Sequence, residues 1–239
     1  MARATASGTA IERLVEHIFG GDRRDPMAGE VAAWLGGSAR FRAFAEAHRD
    51  KIRKKLRGAT DPEARRDVRA ELRVAHLLLA DRRIELAFEA YGSTKGGPDF
   101  TVTFRGERAF NLEVTRQRRA PDAAGYGGPL LAKLRQLPPS VPNAVLVAIE
   151  GDRADAFDVA AVTRALRTRA DGRDEAFFTA RGLKGTKGFY ERFLRLGSVL
   201  VWCETATADA RASAWTNRSA RIAVPERAAR ACLLALRAG

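Results

Sequence analysis

Two short runs of alternating apolar residues flank a turn within residues 99–115, and this alternation commits the chain to a fold that contains a sheet. The runs are DFTVTF (99–104) and AFNLEVT (109–115), joined around Gly106. Successive side chains of a strand point to opposite faces, so Phe100, Val102 and Phe104 share one face and Asp99, Thr101 and Thr103 the other. On the second run Phe110, Leu112 and Val114 oppose Asn111, Glu113 and Thr115. A turn centred on Gly106 pairs Phe100 with Leu112 and Val102 with Phe110. A slip of one residue would set apolar against polar side chains. The same register sets Asp99 opposite Glu113, where like charges repel. A divalent cation between them makes that arrangement sensible, because hard ions such as Mg²⁺ take one or two carboxylates together with waters and phosphate oxygens. The alternative is that both acids lie on a solvated polar face.

The segment before the hairpin reads as a helix over residues 61–80. Thr60 or Asp61 caps it, and Pro62 sits in the first turn, where a missing N–H costs nothing. Val68, Leu72, Ala75, Leu78 and Leu79 recur at helical spacing and mark its inward stripe. Glu71 falls inside that stripe. A buried carboxylate is costly unless it is paired. Either an arginine meets it, or it is the third acid of the same site and helps to hold water at the ion for attack on a phosphodiester.

Helix 61–80 is followed by strands 84–90, 99–105 and 109–115, helix 129–137 and strand 144–150. In this order, and at Pro98-Asp99, Glu113 and Glu71, the chain resembles the PD-(D/E)XK nuclease superfamily. The resemblance covers roughly residues 61–150. It implies an α/β, restriction-endonuclease-like fold: a mixed central sheet flanked by helices, here with an N-terminal helical cap. It also implies phosphodiester hydrolysis of nucleic acid, with DNA as the expected polymer. Asp99 and Glu113 would ligate Mg²⁺ or Mn²⁺, with Glu71 beside them. The family's lysine, two residues after the second acid, is replaced by Thr115, which can hydrogen-bond a water but carries no charge. In some members the lysine has moved to another element. The candidates here are Lys133, on the helix that packs back toward the site, with Gln136 three residues on, and Lys95, in the loop before Pro98. Without such a cation the chain is a nuclease fold that binds nucleic acid without cutting it. A further alternative is a structural partner whose acids are paired with arginines.

Charge agrees with a polyanionic partner. Lys and Arg number 42 against 29 Asp and Glu, a formal net charge of +13. A GC-rich coding sequence, which inflates Ala and Arg everywhere, is the competing explanation. Arg116, Arg118 and Arg119 open a glycine-rich loop (116–128) next to the hairpin and are candidate phosphate contacts, as is Lys95. The cation-rich end of helix 38–57 suits either the helix dipole or phosphate. The loop Gly182–Gly188 lacks the Walker spacing. Two cysteines provide neither a disulfide framework nor a zinc site, and the three histidines read as structural. The N-terminus has no apolar stretch of the secretory kind, which predicts a cytoplasmic protein with no membrane partner. The expected domains are an N-terminal helical region (1–58; helices 9–19, 27–36 and 38–57) and a nuclease-like domain (59–239). The latter has its core at 61–150 and a C-terminal extension over 151–239. In that extension 212–217 and 220–224 read as paired strands. Related nucleases often dimerise to cut two strands, so the resemblance suggests a homodimer.

Overall fold

The computed structural model describes residues 2–22, 24–90, 97–117, 128–150, 157–204 and 211–238, in two compact units, Met1–Arg82 and Arg83–Gly239.

The first unit is helical: α1 (Ala2–Phe19), α2 (Pro26–Gly37), α3 (Ala39–Ala47), α4 (Arg49–Gly58) and α5 (Pro62–Ala80). Short polar residues start three of these helices by accepting otherwise orphaned N–H groups. Asp25 accepts from Met27, Ser38 from Phe41 and Asp61 from Ala64. Pro26 and Pro62 occupy first-turn positions. At the other end of α5, Arg40 Nη1 donates to the Leu79 and Asp81 carbonyls. Ile18, Val31, Leu35, Phe41, Ile52, Leu72 and Leu78 fill the core. His76 stacks on Trp34 and meets the Phe41 ring edge-on. Two expectations are corrected here. Helix α1 begins at Ala2 and not at Thr9. The single helix expected over 38–57 divides at His48, whose φ of −116° and ψ of 12° leave the helical region while its ring packs against Phe44.

The second unit is α/β, built on a six-stranded open sheet of order β1-β2-β3-β4-β5-β6. The strands are β1 (Ile84–Phe88), β2 (Phe100–Phe104), β3 (Phe110–Arg116), β4 (Asn143–Glu150), β5 (Ser198–Glu204) and β6 (Arg211–Thr216). β1, β2 and β3 are antiparallel, β4 and β5 run parallel to β3, and β6 is antiparallel to β5. Phe100 faces Leu112 and Val102 faces Phe110, the register that the alternation requires. Arg105 and Gly106 take positive φ (51° and 71°) at the turn, a conformation that glycine adopts without strain. β4 is buried on both faces between parallel neighbours, which accounts for its unbroken apolar run.

Helices α6 (Gly128–Leu134), α7 (Val159–Asp171), α8 (Glu175–Thr179) and α9 (Gly185–Phe193) supply apolar side chains to one face of the sheet. There Leu130, Leu134, Val162, Phe178 and Phe189 pack with Val145, Val147, Val199 and Val201. Helix α10 (Glu226–Arg237) packs against β6 and β2 through small residues such as Ala228 and Ala231. Residues 220–224 form no strand. Asn217 accepts from the Ser219 N–H and turns the chain away, and the Arg221 N–H bonds the Leu194 carbonyl. Among the described residues no helix is long and apolar enough to cross a membrane.

Candidate active site

Asp99 immediately precedes β2, and Glu113 lies inside β3. Continuing the β2–β3 register by one step sets them opposite each other. Pro98, just before, cannot donate to a ladder. The Val114 N–H, beyond the last β2–β3 pair, turns instead to Asp99 Oδ2 at 2.9 Å. Glu113 Oε2 in turn accepts the Asp99 N–H at 3.2 Å. Each carboxylate is thus fixed by backbone of the opposite strand, where the hairpin would otherwise fray. Both are buried: Asp99 is 7% and Glu113 1% exposed.

A cation completes the arrangement. Leu130, Leu131 and Leu134 seat α6 on the sheet face that carries Glu113 and leave Lys133 at its edge. Lys133 Nζ donates to Glu113 Oε1 at 2.5 Å, its side chain 23% exposed against 2% for the glutamate. Charge-assisted bonds of this kind are short and strong. The repulsion expected of two neighbouring acids is therefore relieved in part by an ammonium group that belongs to the chain. The same group, at the solvent edge, is able to hold a water or a phosphate oxygen.

The donor set suits a hard divalent ion. Among the described residues no group of three or more His, Cys, Asp or Glu is gathered as a metal cage. Mg²⁺ and Mn²⁺ do not need one, since one or two carboxylates with waters suffice. Asp99 and Glu113 are such a pair.

The other expected residues are placed as follows. Glu71 is buried, 7% exposed, and belongs to the first unit, where Lys55 Nζ donates to its Oε2. Lys55 is contributed by α4. Thr115 is half-buried on the same strand face as Glu113. Arg116 lies on the opposite face and is 5% exposed, so its side chain is not offered to solvent as a phosphate contact requires. Lys95, Arg118 and Arg119 lie outside the described residues.

One feature escaped the sequence reading. Thr101 Oγ1 donates to Asn111 Oδ1 (3.2 Å), and Asn111 Nδ2 donates to Asn143 Oδ1 (3.1 Å). Asn143 Nδ2 then reaches the Pro138, Val141 and Arg195 carbonyls. This chain of amides runs across β2, β3 and β4 on the face of Glu113. It ties the hairpin to the segment that follows α6, and so to the helix that delivers Lys133. The available signal was an amide side chain at a polar position of a strand buried on both sides, at Asn111 and again at Asn143.

No protein-family model, curated protein or solved structure matches this chain.

Proposed function

We propose that the chain is a metal-dependent phosphodiester hydrolase acting on nucleic acid, with DNA as the expected polymer. In this reading the second unit is a restriction-endonuclease-like fold. Its strand order supports this: an antiparallel β1-β2-β3 meander, a crossover through α6, and β4 parallel to β3. The observation that carries the proposal is Lys133 Nζ on Glu113, beside Asp99. It supplies from α6 the positive charge that Thr115 cannot. Asp99 and Glu113 would hold Mg²⁺ or Mn²⁺, which neutralises charge on the phosphodiester as it is attacked. Lys133 would orient the attacking water, and Thr115, on the same face, would hydrogen-bond it. Burial of the acids and their backbone bonds fix the oxygens before substrate arrives, so little reorganisation is needed at the moment of reaction. In this reading Glu71 serves its ion pair with Lys55.

The test is cleavage of plasmid and of labelled oligonucleotides in Mg²⁺ or Mn²⁺ by the wild-type chain and by Asp99→Asn and Glu113→Gln. Both substitutions keep an oxygen for the Val114 or Asp99 N–H, so the fold survives. Each removes a charged ligand and should slow cleavage by about a hundredfold or more. Wild-type rates in either variant would refute the assignment.

One observation favours a second reading. Glu113 already has its counter-charge in Lys133, and Asp99 already has the Val114 N–H. A nuclease fold that binds nucleic acid without turnover needs nothing more. It predicts salt-dependent binding with no metal-dependent cutting.

A further inference from the structure

Four arginines from separate parts of the second unit converge where α6 ends. Arg192 Nη1 donates to the Arg135 carbonyl at 3.0 Å, and Arg195 Nη1 to the Leu137 carbonyl at 3.2 Å. The Arg135 guanidinium lies over Gly182, so closely that a Cβ there would collide with it. The Arg221 N–H bonds the Leu194 carbonyl at 2.8 Å, which places that arginine beside Arg195. Arg135 and Arg221 are exposed, and Arg192 and Arg195 half-buried.

A carbonyl satisfies a guanidinium's hydrogen bond but leaves its charge uncompensated. Among the described residues no carboxylate lies within ion-pairing distance of any of the four. The crowding is felt at Arg195, whose pKa is lowered first by burial and then by the charges of Arg192 and Arg221, with Glu191 opposing. The C-terminal dipole of α6 favours a nearby cation. A helix of seven residues does not by itself account for four. What relieves such a cluster is a partner with several negative charges at regular spacing, matched to planar guanidinium forks.

We propose that Arg135, Arg192, Arg195 and Arg221 form the surface that grips the sugar–phosphate backbone of a nucleic acid. Arg135 follows Lys133 by two residues, in the turn that ends α6. The choice of nucleic acid over other polyanions rests on the hydrolase reading; the surface itself does not.

The experiment is fluorescence anisotropy with a labelled DNA duplex and the matching single strand, in EDTA so that no cleavage intervenes, over a range of salt. Arg135→Gln, Arg192→Gln, Arg221→Gln and the triple variant are compared with wild type. Arg230→Gln, an exposed position on α10, is the control. Arg221 engages the fold through its backbone N–H, so its substitution reports on binding without a folding defect. Each single change should weaken binding about threefold to tenfold and lower the slope of log K against log salt by about 0.9 for the duplex. The triple variant should lose at least about thirtyfold, and Arg230→Gln nothing. A triple variant with wild-type affinity and slope overturns the proposal, as does a wild-type chain that binds neither probe. Arginine-dependent binding without metal-dependent cleavage leaves the surface standing and removes the hydrolase reading. Cleavage with arginine-independent binding does the reverse.

Discussion

Each unit of this protein buries a glutamate against a lysine, and the two pairs are nearly the same object. Glu71 meets Lys55 between α5 and α4; Glu113 meets Lys133 between β3 and α6. The glutamates are 7% and 1% exposed, and the lysine side chains 24% and 23%. The difference lies in the neighbours. Val68, Leu72 and Ala75 share the buried stripe of α5 with Glu71. Glu113 has Asp99 opposite it and accepts that residue's N–H. A buried ion pair is often replaceable by apolar residues of similar volume. A second acid locked to the first turns the same pair into a place where a cation and a phosphate could meet.

The largest effect that would sharpen this contrast is on cleavage. Glu71→Gln should leave the rate in Mg²⁺ within about twofold of wild type, against the hundredfold loss expected of Glu113→Gln. Equal losses would mean that both acids serve one reaction and that the distinction between the pairs is false.

Stability comes next. Lys55→Met and Lys133→Met each take an ammonium group from a buried carboxylate, and each should lower unfolding free energy by about 2 kcal/mol, less than for a fully buried pair because both lysines are partly solvated. Chemical denaturation measures this. Adding Glu71→Leu to Lys55→Met should recover most of the loss. Adding Glu113→Leu to Lys133→Met should not, because it also takes away the carboxylate that accepts the Asp99 N–H. Recovery in both would show that Glu113 is as replaceable as Glu71.

The smallest effect is with pH. His76 has its pKa pushed below 6.5, first by burial and then by the Arg73 charge. Glu175, which accepts from the Thr186 N–H and hydroxyl, has its pKa pushed below 4.5. In both cases the unfolded chain binds the proton more readily. The stabilisation is complete above the ordinary pKa and is lost as pH falls through the folded value. On acidification the first unit should weaken first, below about pH 6.5, and the second only below the usual carboxylate range. Amide hydrogen exchange resolved by segment tests the order. Simultaneous weakening would argue that the units do not respond independently.

Much of the site was legible because it depends on short-range alternation. The Phe100–Leu112 register, and with it the placing of Asp99 against Glu113, follows from which residues must share a face. Lys133 was reachable too, since a crossover helix between parallel strands has to fold back over the sheet. What was not legible depends on side chains that meet from distant positions. Glu71 meets a lysine from α4, one of many cations a helical stripe could have presented. The amides of Asn111 and Asn143 meet because β3 and β4 are parallel neighbours. The arginines at 135, 192, 195 and 221 come together only once α6, α9 and the turn after β6 are in place. The expected strand 220–224 failed for a related reason: an apolar, β-branched run was diverted by the local Asn217 turn.

The mixed direction of the strands also has a consequence for when the site comes into being. Asp99 and Glu113 are separated by 14 residues in a hairpin, whereas Lys133 lies 20 residues beyond Glu113 on a crossover that must close before β4 can dock. Hairpins form on microsecond timescales, and parallel pairing is slower because the connecting loop must be ordered first. A growing or refolding chain thus brings its two negative groups together before the positive one arrives. In that interval millimolar Mg²⁺ should hasten refolding by standing in for the absent lysine.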